Sequence, residues 1–362
     1  MNWLLDTLSL SSGMLAEGPT VSVVELMSLN NATHILLGSV LALLVAVFLA
    51  GKFLKHQSEG IVNASIVISF NQRIRAWLLL SAILVAGAIL GRGYTVVLFG
   101  FISFWALREF ITMTPTRRGD HRALFWVFFL LTPLQYILVG LGQDFYGLYS
   151  ILIPVYGSLL ISARIALAGD YKRFLERTAK IQVGLLITVY SLSFAPALLD
   201  LKLYTTEMLA APLEEQVVWN SVQGTGATFG LLFYFVLLVQ IGDIFQFVWD
   251  KILGRRIIAV NINASKTWEG FFGAMITAML VGALLSWFTP FNWWQAPCIA
   301  LVTAVMGFTG SMTMSAIKRD RGVNDYGTLV QGHAGILDRL DSICFAAPVF
   351  FHITRYFFTS VL

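Results

Sequence analysis

The stretch from Leu36 to Ala50 reads LLGSVLALLVAVFLA and is apolar on every side. A strand of a membrane β-barrel would instead alternate apolar and polar residues with a period of two. Because hydrocarbon offers the backbone no hydrogen-bond partners, a lipid-exposed segment satisfies its own backbone groups as a helix. The stretch therefore predicts a membrane-spanning helix, and similar runs recur along the chain.

The composition of the whole chain indicates the same class of protein. Of its 362 residues, 57% are hydrophobic and 12% are charged, and the mean hydropathy is +0.76. These values exclude an ordinary soluble domain. We predict an all-α polytopic integral membrane protein with about ten transmembrane helices. The apolar runs lie near 34–54, 76–91, 94–113, 123–142, 145–165, 181–200, 225–249, 270–289, 296–316 and 342–361.

The basic residues predict how these helices are oriented. Cytoplasmic loops collect Lys and Arg, and 21 of the 24 basic residues lie in the loops after the first, third, fifth, seventh and ninth predicted helices or at the helix ends that flank these loops. Both termini are therefore expected on the extracytoplasmic side. The net charge of +4 is explained by loops that lie against anionic lipid headgroups, so no nucleic-acid partner is expected.

The chain divides into three parts by composition. Residues 1–33 contain no Lys or Arg, which a cleaved secretory signal would need, and we expect an extracytoplasmic segment. Residues 34–224 carry the N-terminal transmembrane helices, with plain basic loops. Residues 225–362 form a C-terminal region of catalytic type, whose two polar cytoplasmic loops, 243–270 and 315–341, combine acids, bases and glycines.

The loop 315–341 reads SAIKRDRGVNDYGTLVQGHAGILDRLD. Ser315 lies one helical turn before Lys318 and Arg319, so its hydroxyl and a base can share a face. A mobile lysine beside a planar arginine suits several phosphate oxygens at once. The glycines of this loop let the backbone approach a ligand closely. These features indicate a phosphate-binding segment.

Acids follow in the same loop. Asp338 and Asp341 are spaced i, i+3 at the start of the last predicted helix, with Arg339 beside them. Mg²⁺ binds through one or two such carboxylates together with substrate phosphates. Phosphate-binding bases and a carboxylate-bound cation in one short segment predict phosphoryl or nucleotidyl transfer.

The two polar loops share one pattern of acids, bases and glycines, made by Asp243, Gly254-Arg255, Lys266-Thr267-Trp268-Glu269-Gly270, Ser315, Lys318-Arg319, Asp325, Gly332-His333, Gly335, Asp338-Arg339 and Asp341. This pattern resembles the signature of the phosphatidate cytidylyltransferase family, also called CDP-diacylglycerol synthase. The resemblance covers about 225–345, and the N-terminal half matches only as generic membrane helices.

The resemblance implies that CTP and phosphatidic acid, or a related lipid phosphate, give CDP-diacylglycerol and pyrophosphate at the cytoplasmic face of a bacterial inner membrane. It implies Mg²⁺, with room for a monovalent cation such as K⁺, and it leaves a homodimer open. The residues it assigns are the metal ligands Asp338, Asp341, Asp325 and Asp243, the catalytic phosphate partners Lys318, Arg319, Arg339 and Lys266 with His333, and the substrate contacts Ser315, Thr267, Arg255, Gly332 and Gly335.

Four departures from the family pattern support an alternative interpretation. Ser311 stands where the family has a metal-binding aspartate, and Asn324 replaces a lysine; Gln331 and Ala334 replace a proline and a glycine. Asp320 or Asp250 could substitute for the missing carboxylate. The alternative is a catalytically impaired member that binds lipid phosphates or regulates a partner. A transporter or flippase is a third interpretation, but its charges would line the membrane midplane.

Overall fold

A computed structural model of the chain describes residues 84–114, 116–210, 218–219, 227–323 and 335–359, and the single residues Gly38 and Ala82. The segment 1–33, the predicted helix at 34–54 apart from Gly38, and the first part of the predicted helix at 76–91 lie outside the described residues. Residues 84–90 are helical.

Helices dominate the described part of the chain, and six of them there are long and apolar enough to cross a membrane. This agrees with the predicted all-α membrane protein, while the number of ten helices and the orientation of the termini stay predictions. A two-stranded antiparallel hairpin was not expected. The elements are α1 (Arg92–Met113), α2 (Arg118–Leu141), α3 (Gln143–Ala166), α4 (Phe174–Asp200), α5 (Thr206–Ala210), α6 (Ala227–Ile252), β1 (Ile257–Ala259), β2 (Asn263–Thr267), α7 (Trp268–Leu284), α8 (Gln295–Arg321) and α9 (Leu337–Phe358).

An aromatic core joins the two halves of the chain. Phe350 and Phe351 of α9 are fully buried. The ring of Phe350 lies 5.0 Å from that of Phe235 of α6, and the ring of Phe351 lies 5.1 Å from that of Phe194 of α4. Aromatic pairs at such distances add to the packing of membrane helices. Helix α9 is therefore held from both sides.

Helices α8 and α9 approach closely because glycines lie where they cross. A Cβ on Gly307 would lie 3.5 Å from the Cβ of Ser342, and a Cβ on Gly310 would lie only 2.6 Å from the carbonyl oxygen of Asp341. Small residues let the backbones of membrane helices come together. The end of α8 is thereby placed against the start of α9.

Helix α8 ends at Gly322, whose φ of 69° is in the left-handed region that glycine adopts without strain. The N–H of Gly322 donates to the carbonyl of Arg319 at 3.1 Å, and the N–H of Val323 donates to the carbonyl of Lys318 at 3.0 Å. This is a common way to satisfy the last carbonyls of a helix. It places Lys318 and Arg319 in the final turn.

Ion pairs connect the loops of the N-terminal half. Arg177, only 4% exposed, donates through Nε to Asp120 at 2.9 Å and through Nη1 to the carbonyl of Asp170 at 2.9 Å. The N–H of Lys172 and the guanidinium of Arg117 hold the pKa of Asp170 below its usual range. The loop between α1 and α2 is thus bound to the loop between α3 and α4.

Candidate active site

The end of α8 and the start of α9 meet in an ion pair. Lys318 Nζ lies 2.8 Å from Asp338 Oδ1, and the two side chains are 17% and 9% exposed. The backbone N–H of Gly335 donates to the other carboxylate oxygen, Asp338 Oδ2, at 3.2 Å. A predicted phosphate partner and a predicted metal ligand are therefore in direct contact, largely out of solvent.

Further charged groups act on the second acid of α9. Asp341 interacts electrostatically with Asp243 on α6, Lys266 on β2 and Lys318 on α8. Together with Asp338, which pairs with Lys318, these residues are three carboxylates and two ammonium groups from four elements. We call Asp243, Lys266, Lys318, Asp338 and Asp341 the acid–base cluster.

The hairpin covers a different side of the last turns of α8. The side-chain amide of Asn263 lies 3.3 Å from Ser315 Oγ, and Arg319 Nε donates to the carbonyl of Ile262 at 3.2 Å. Ser315 and Arg319 are one turn apart, so both face the hairpin, whereas Lys318 faces α9. The Ser315 hydroxyl shares a face of α8 with one base, as the spacing predicted, and that base is Arg319.

The Lys-Thr-Trp-Glu-Gly segment is held by an acid at the end of α6. The N–H and the hydroxyl of Thr267 donate to Asp250 Oδ1 at 2.8 and 2.6 Å, and Thr267 Oγ1 in turn accepts from the N–H of Gly270 at 3.1 Å and caps α7. A Cβ on Gly270 would lie 1.9 Å from Asp250 Oδ1. This close approach explains why a threonine stands at position 267 and a glycine at position 270. It also fixes the position of Thr267, the residue next to Lys266.

Glu269 plays a similar part for the turn before the hairpin. Its Oε2 accepts hydrogen bonds from the N–H groups of Arg255 and Arg256, both at 3.1 Å. The side chain of Arg255 is exposed. The backbone at Arg255 is thus anchored while its guanidinium faces outward.

Some of the predicted site residues lie outside the described residues or outside the acid–base cluster. Asp325, Gly332 and His333 lie outside the described residues, and so do the departures Asn324, Gln331 and Ala334. Arg339 is partly buried next to Asp338. Of the two acids considered as replacements for the carboxylate missing at Ser311, Asp250 bonds to Thr267, and Asp320 bonds to Arg321, whose Nε donates to it at 2.8 Å.

Sequence reasoning missed Glu109 on α1. Its side chain is 6% exposed, and its two carboxylate oxygens accept hydrogen bonds from the N–H groups of Ile336 at 3.1 Å and Leu337 at 2.9 Å. An ionisable residue inside an apolar membrane segment is a functional candidate in itself. Glu109 lies in the predicted span 94–113, so that signal was available.

The carboxylate oxygens of the acid–base cluster are of the kind that a hard cation such as Mg²⁺ binds. Within the described ranges, no group of three or more His, Cys, Asp and Glu side chains is close enough to hold a metal by itself. Mg²⁺ needs no such group, because it binds through one or two carboxylates together with waters and substrate phosphates. Asp338, Asp341 and Asp243 supply carboxylate oxygens of this kind beside two lysines.

Comparisons with known proteins show the family to which the chain belongs. The model of the cytidylyltransferase family matches residues 71–357. The uncharacterized protein YnbB of Escherichia coli strain K12 is 35% identical over 327 residues, covering 88% of this chain and 97% of YnbB.

Relatives with a stated activity match only part of the chain. A phosphatidate cytidylyltransferase of Staphylococcus haemolyticus is 32% identical over 120 residues, 33% of this chain and 46% of that protein. One of Synechocystis sp. is 37% identical over 112 residues, 30% of this chain and 38% of that protein. The chain thus spans less than half of the length of these two relatives. Because the family match covers most of the chain and both polar loops, the protein belongs to the cytidylyltransferase family.

Proposed function

We propose that the protein transfers the cytidylyl group of CTP to phosphatidic acid or a related lipid phosphate. An oxygen of the lipid phosphate forms a bond to the α-phosphorus of CTP, and the bond from that phosphorus to the β-phosphate breaks. The products are CDP-diacylglycerol and pyrophosphate. The family match supports nucleotidyl transfer, and the names of the partial relatives support phosphatidic acid as the acceptor.

The observation that carries this proposal is the contact of Lys318 with Asp338 inside the acid–base cluster. Both substrates are polyanions, so the protein accelerates their reaction by positioning the phosphates and by stabilising the charge that develops between them. Lys318 contacts Asp338, Lys266 on β2 interacts electrostatically with Asp341, and Arg319 lies one residue after Lys318. These bases can bind phosphate oxygens of both substrates.

The carboxylates have a matching role. One or two of the carboxylates of Asp338, Asp341 and Asp243 would hold Mg²⁺ together with substrate phosphates, and the bound ion would supply Lewis-acid stabilisation of phosphate charge. Lys318 and the N–H of Gly335 hold the two oxygens of Asp338 in place. Preorganised ligands of this kind cost no reorganisation during the reaction.

We place the acid–base cluster at the cytoplasmic face of a bacterial inner membrane. The placement of 21 of the 24 basic residues in alternate loops and their flanking helix ends supports this orientation, because cytoplasmic loops retain Lys and Arg. The cluster would then meet soluble CTP from one side and membrane-bound phosphatidic acid from the other.

Purified protein in lipid nanodiscs with labelled CTP, phosphatidic acid and Mg²⁺ tests the proposal. We expect a chloroform-soluble labelled product, and we expect Asp338→Asn to lower kcat by about 10²–10³-fold, the usual effect of removing one preorganised charge contact. The matched control is Asp144→Asn, which changes an exposed acid at the start of α3. Folded wild-type protein that labels no lipid phosphate, or an Asp338→Asn variant with wild-type kcat, would refute the proposal.

Ser311 favours the impaired family member as a second candidate. It lies on α8 one turn before Ser315, whose hydroxyl donates to the Ser311 carbonyl at 2.8 Å, and a hydroxyl is a weaker Mg²⁺ ligand than a carboxylate. If the wild type is inert, the double variant Ser311→Asp with Asn324→Lys should create activity. An active wild type rules this candidate out.

A further inference from the structure

Glu109 connects the N-terminal half of the chain to the first turn of α9. It is a buried acid on α1, and it accepts hydrogen bonds from two consecutive N–H groups, those of Ile336 and Leu337. The first N–H groups of a helix have no partner within the helix. A carboxylate at that position is further stabilised by the positive end of the helix dipole.

Asp338 follows these two amides directly. The N–H of Gly335, the residue before them, donates to Asp338 Oδ2, and Lys318 contacts Asp338 Oδ1. Asp338 therefore accepts from two donors, Lys318 Nζ and the N–H of Gly335. The two amides between Gly335 and Asp338 are both held by Glu109. A shift of this short segment would move the Asp338 carboxylate relative to Lys318.

We infer that Glu109 is a positioning residue that sets the orientation of the Asp338 carboxylate for cation binding. The inference rests on the proposed function, because that function requires the bound cation. It adds a residue of the N-terminal half of the chain to the proposed active site. Residues that orient a metal ligand typically change metal affinity by about 10–100-fold when they are replaced.

A purely structural link between α1 and α9 would behave differently. It would lower the stability of the fold but leave the cation affinity of the folded protein unchanged. Asp200, at the end of α4, offers a structural link to α1 for comparison: its Oδ1 pairs with Arg92 of α1 at 2.6 Å, and its Oδ2 accepts from the N–H of Gln143 at the start of α3 at 2.6 Å. Arg92 begins α1, whereas Glu109 lies near its other end.

The test measures Mn²⁺ binding to purified, folded protein by electron paramagnetic resonance, with Mn²⁺ as the probe for Mg²⁺. We expect Glu109→Gln to raise the Kd for Mn²⁺ by about tenfold or more and to speed hydrogen exchange in residues 335–340. In the cytidylyl assay, kcat should fall while the KM for CTP changes little. Asp200→Asn should lower the melting temperature without changing the Kd for Mn²⁺.

A second variant keeps the inference testable if Glu109→Gln does not fold. Ile336→Pro removes one of the two donors and leaves Glu109 in place. The φ of Ile336 is −60°, which proline adopts, and its side chain is 39% exposed. We expect a smaller rise of the Kd in the same direction.

Unchanged Mn²⁺ affinity in the folded variants, or a wild type that binds no Mn²⁺, would overturn the inference. The proposed function fails separately. A wild type that forms no labelled lipid but shows the expected pattern of Mn²⁺ affinities refutes the function alone, and an active wild type whose Glu109→Gln variant binds Mn²⁺ normally refutes the inference alone.

Discussion

Replacing Gly310 by alanine should impair the active site more than the stability of the fold. The new Cβ would lie 2.6 Å from the carbonyl oxygen of Asp341 and 2.8 Å from the Cβ of Phe345. Ordinary van der Waals contact begins at 3.4 Å, so the start of α9 must move by about 0.8 Å, the difference between 3.4 and 2.6 Å. Because the nearer contact is with backbone, rotation of a side chain cannot relieve it.

The two consequences differ in size. Overpacking costs about 1–3 kcal/mol, and alanine is more favourable than glycine inside a helix by about 1 kcal/mol, so the net loss of stability is about 0–2 kcal/mol. Asp338 lies one turn before Asp341 and moves with it, against a Lys318 contact of 2.8 Å. Since a misplacement of about 1 Å can cost 10²-fold in rate, we expect kcat to fall by about 10–100-fold.

The measurements are cytidylyl transfer and thermal unfolding of the same purified variants. Gly307→Ala is the matched control, because it lies on the same helix, faces the same partner helix, and its Cβ would meet Ser342 at an ordinary 3.5 Å. It should keep the wild-type kcat. The reasoning fails if Gly310→Ala is as active as the wild type, or if Gly307→Ala loses as much activity.

Two further variants test polar contacts outside the acid–base cluster. Arg177→Met leaves Asp120 buried without its main cation and should lower the free energy of unfolding by about 3–5 kcal/mol. Lys180→Met removes a surface ion pair and should lower it by about 1 kcal/mol or less. Denaturant titration in detergent measures both losses, and equal losses would contradict the prediction. Thr267→Ala removes the cap of α7 and a donor to Asp250, so it should lower the free energy of unfolding by about 1–2 kcal/mol and lower the rate of cytidylyl transfer. Thr267→Ser retains the hydroxyl and should behave like the wild type. Equal stability and activity of the two Thr267 variants would contradict the prediction.

The helices were predictable because a long apolar run has few alternatives in lipid. The predicted runs 94–113 and 296–316 lie within α1 and α8, which begin at Arg92 and Gln295. The hairpin was not predictable in the same way. Its strands are short, their exposure does not alternate regularly, and they are ordered by contacts with Ser315 and Arg319 that are distant in sequence.

The candidate site divides in the same manner. Residue type and spacing were enough to select Lys318, Asp338 and Asp341, because phosphate binding and cation binding demand bases and carboxylates in a polar loop. Spacing could not tell that Lys318 faces α9 while Arg319 faces the hairpin, since both lie in the last turn of α8. Spacing also could not predict that the hydroxyl of Thr267 donates to Asp250 and caps α7.

The sequence by itself determined that this is an all-α membrane protein, and residue type predicted the chemistry of the two polar loops. Only the tertiary structure decided which charges meet. Glu109 and Asp338 are more than two hundred positions apart, yet both depend on residues 335–337. The physical reason is that apolarity and residue type are local properties of the chain, whereas the pairing of a buried charge depends on which helix end packs beside it.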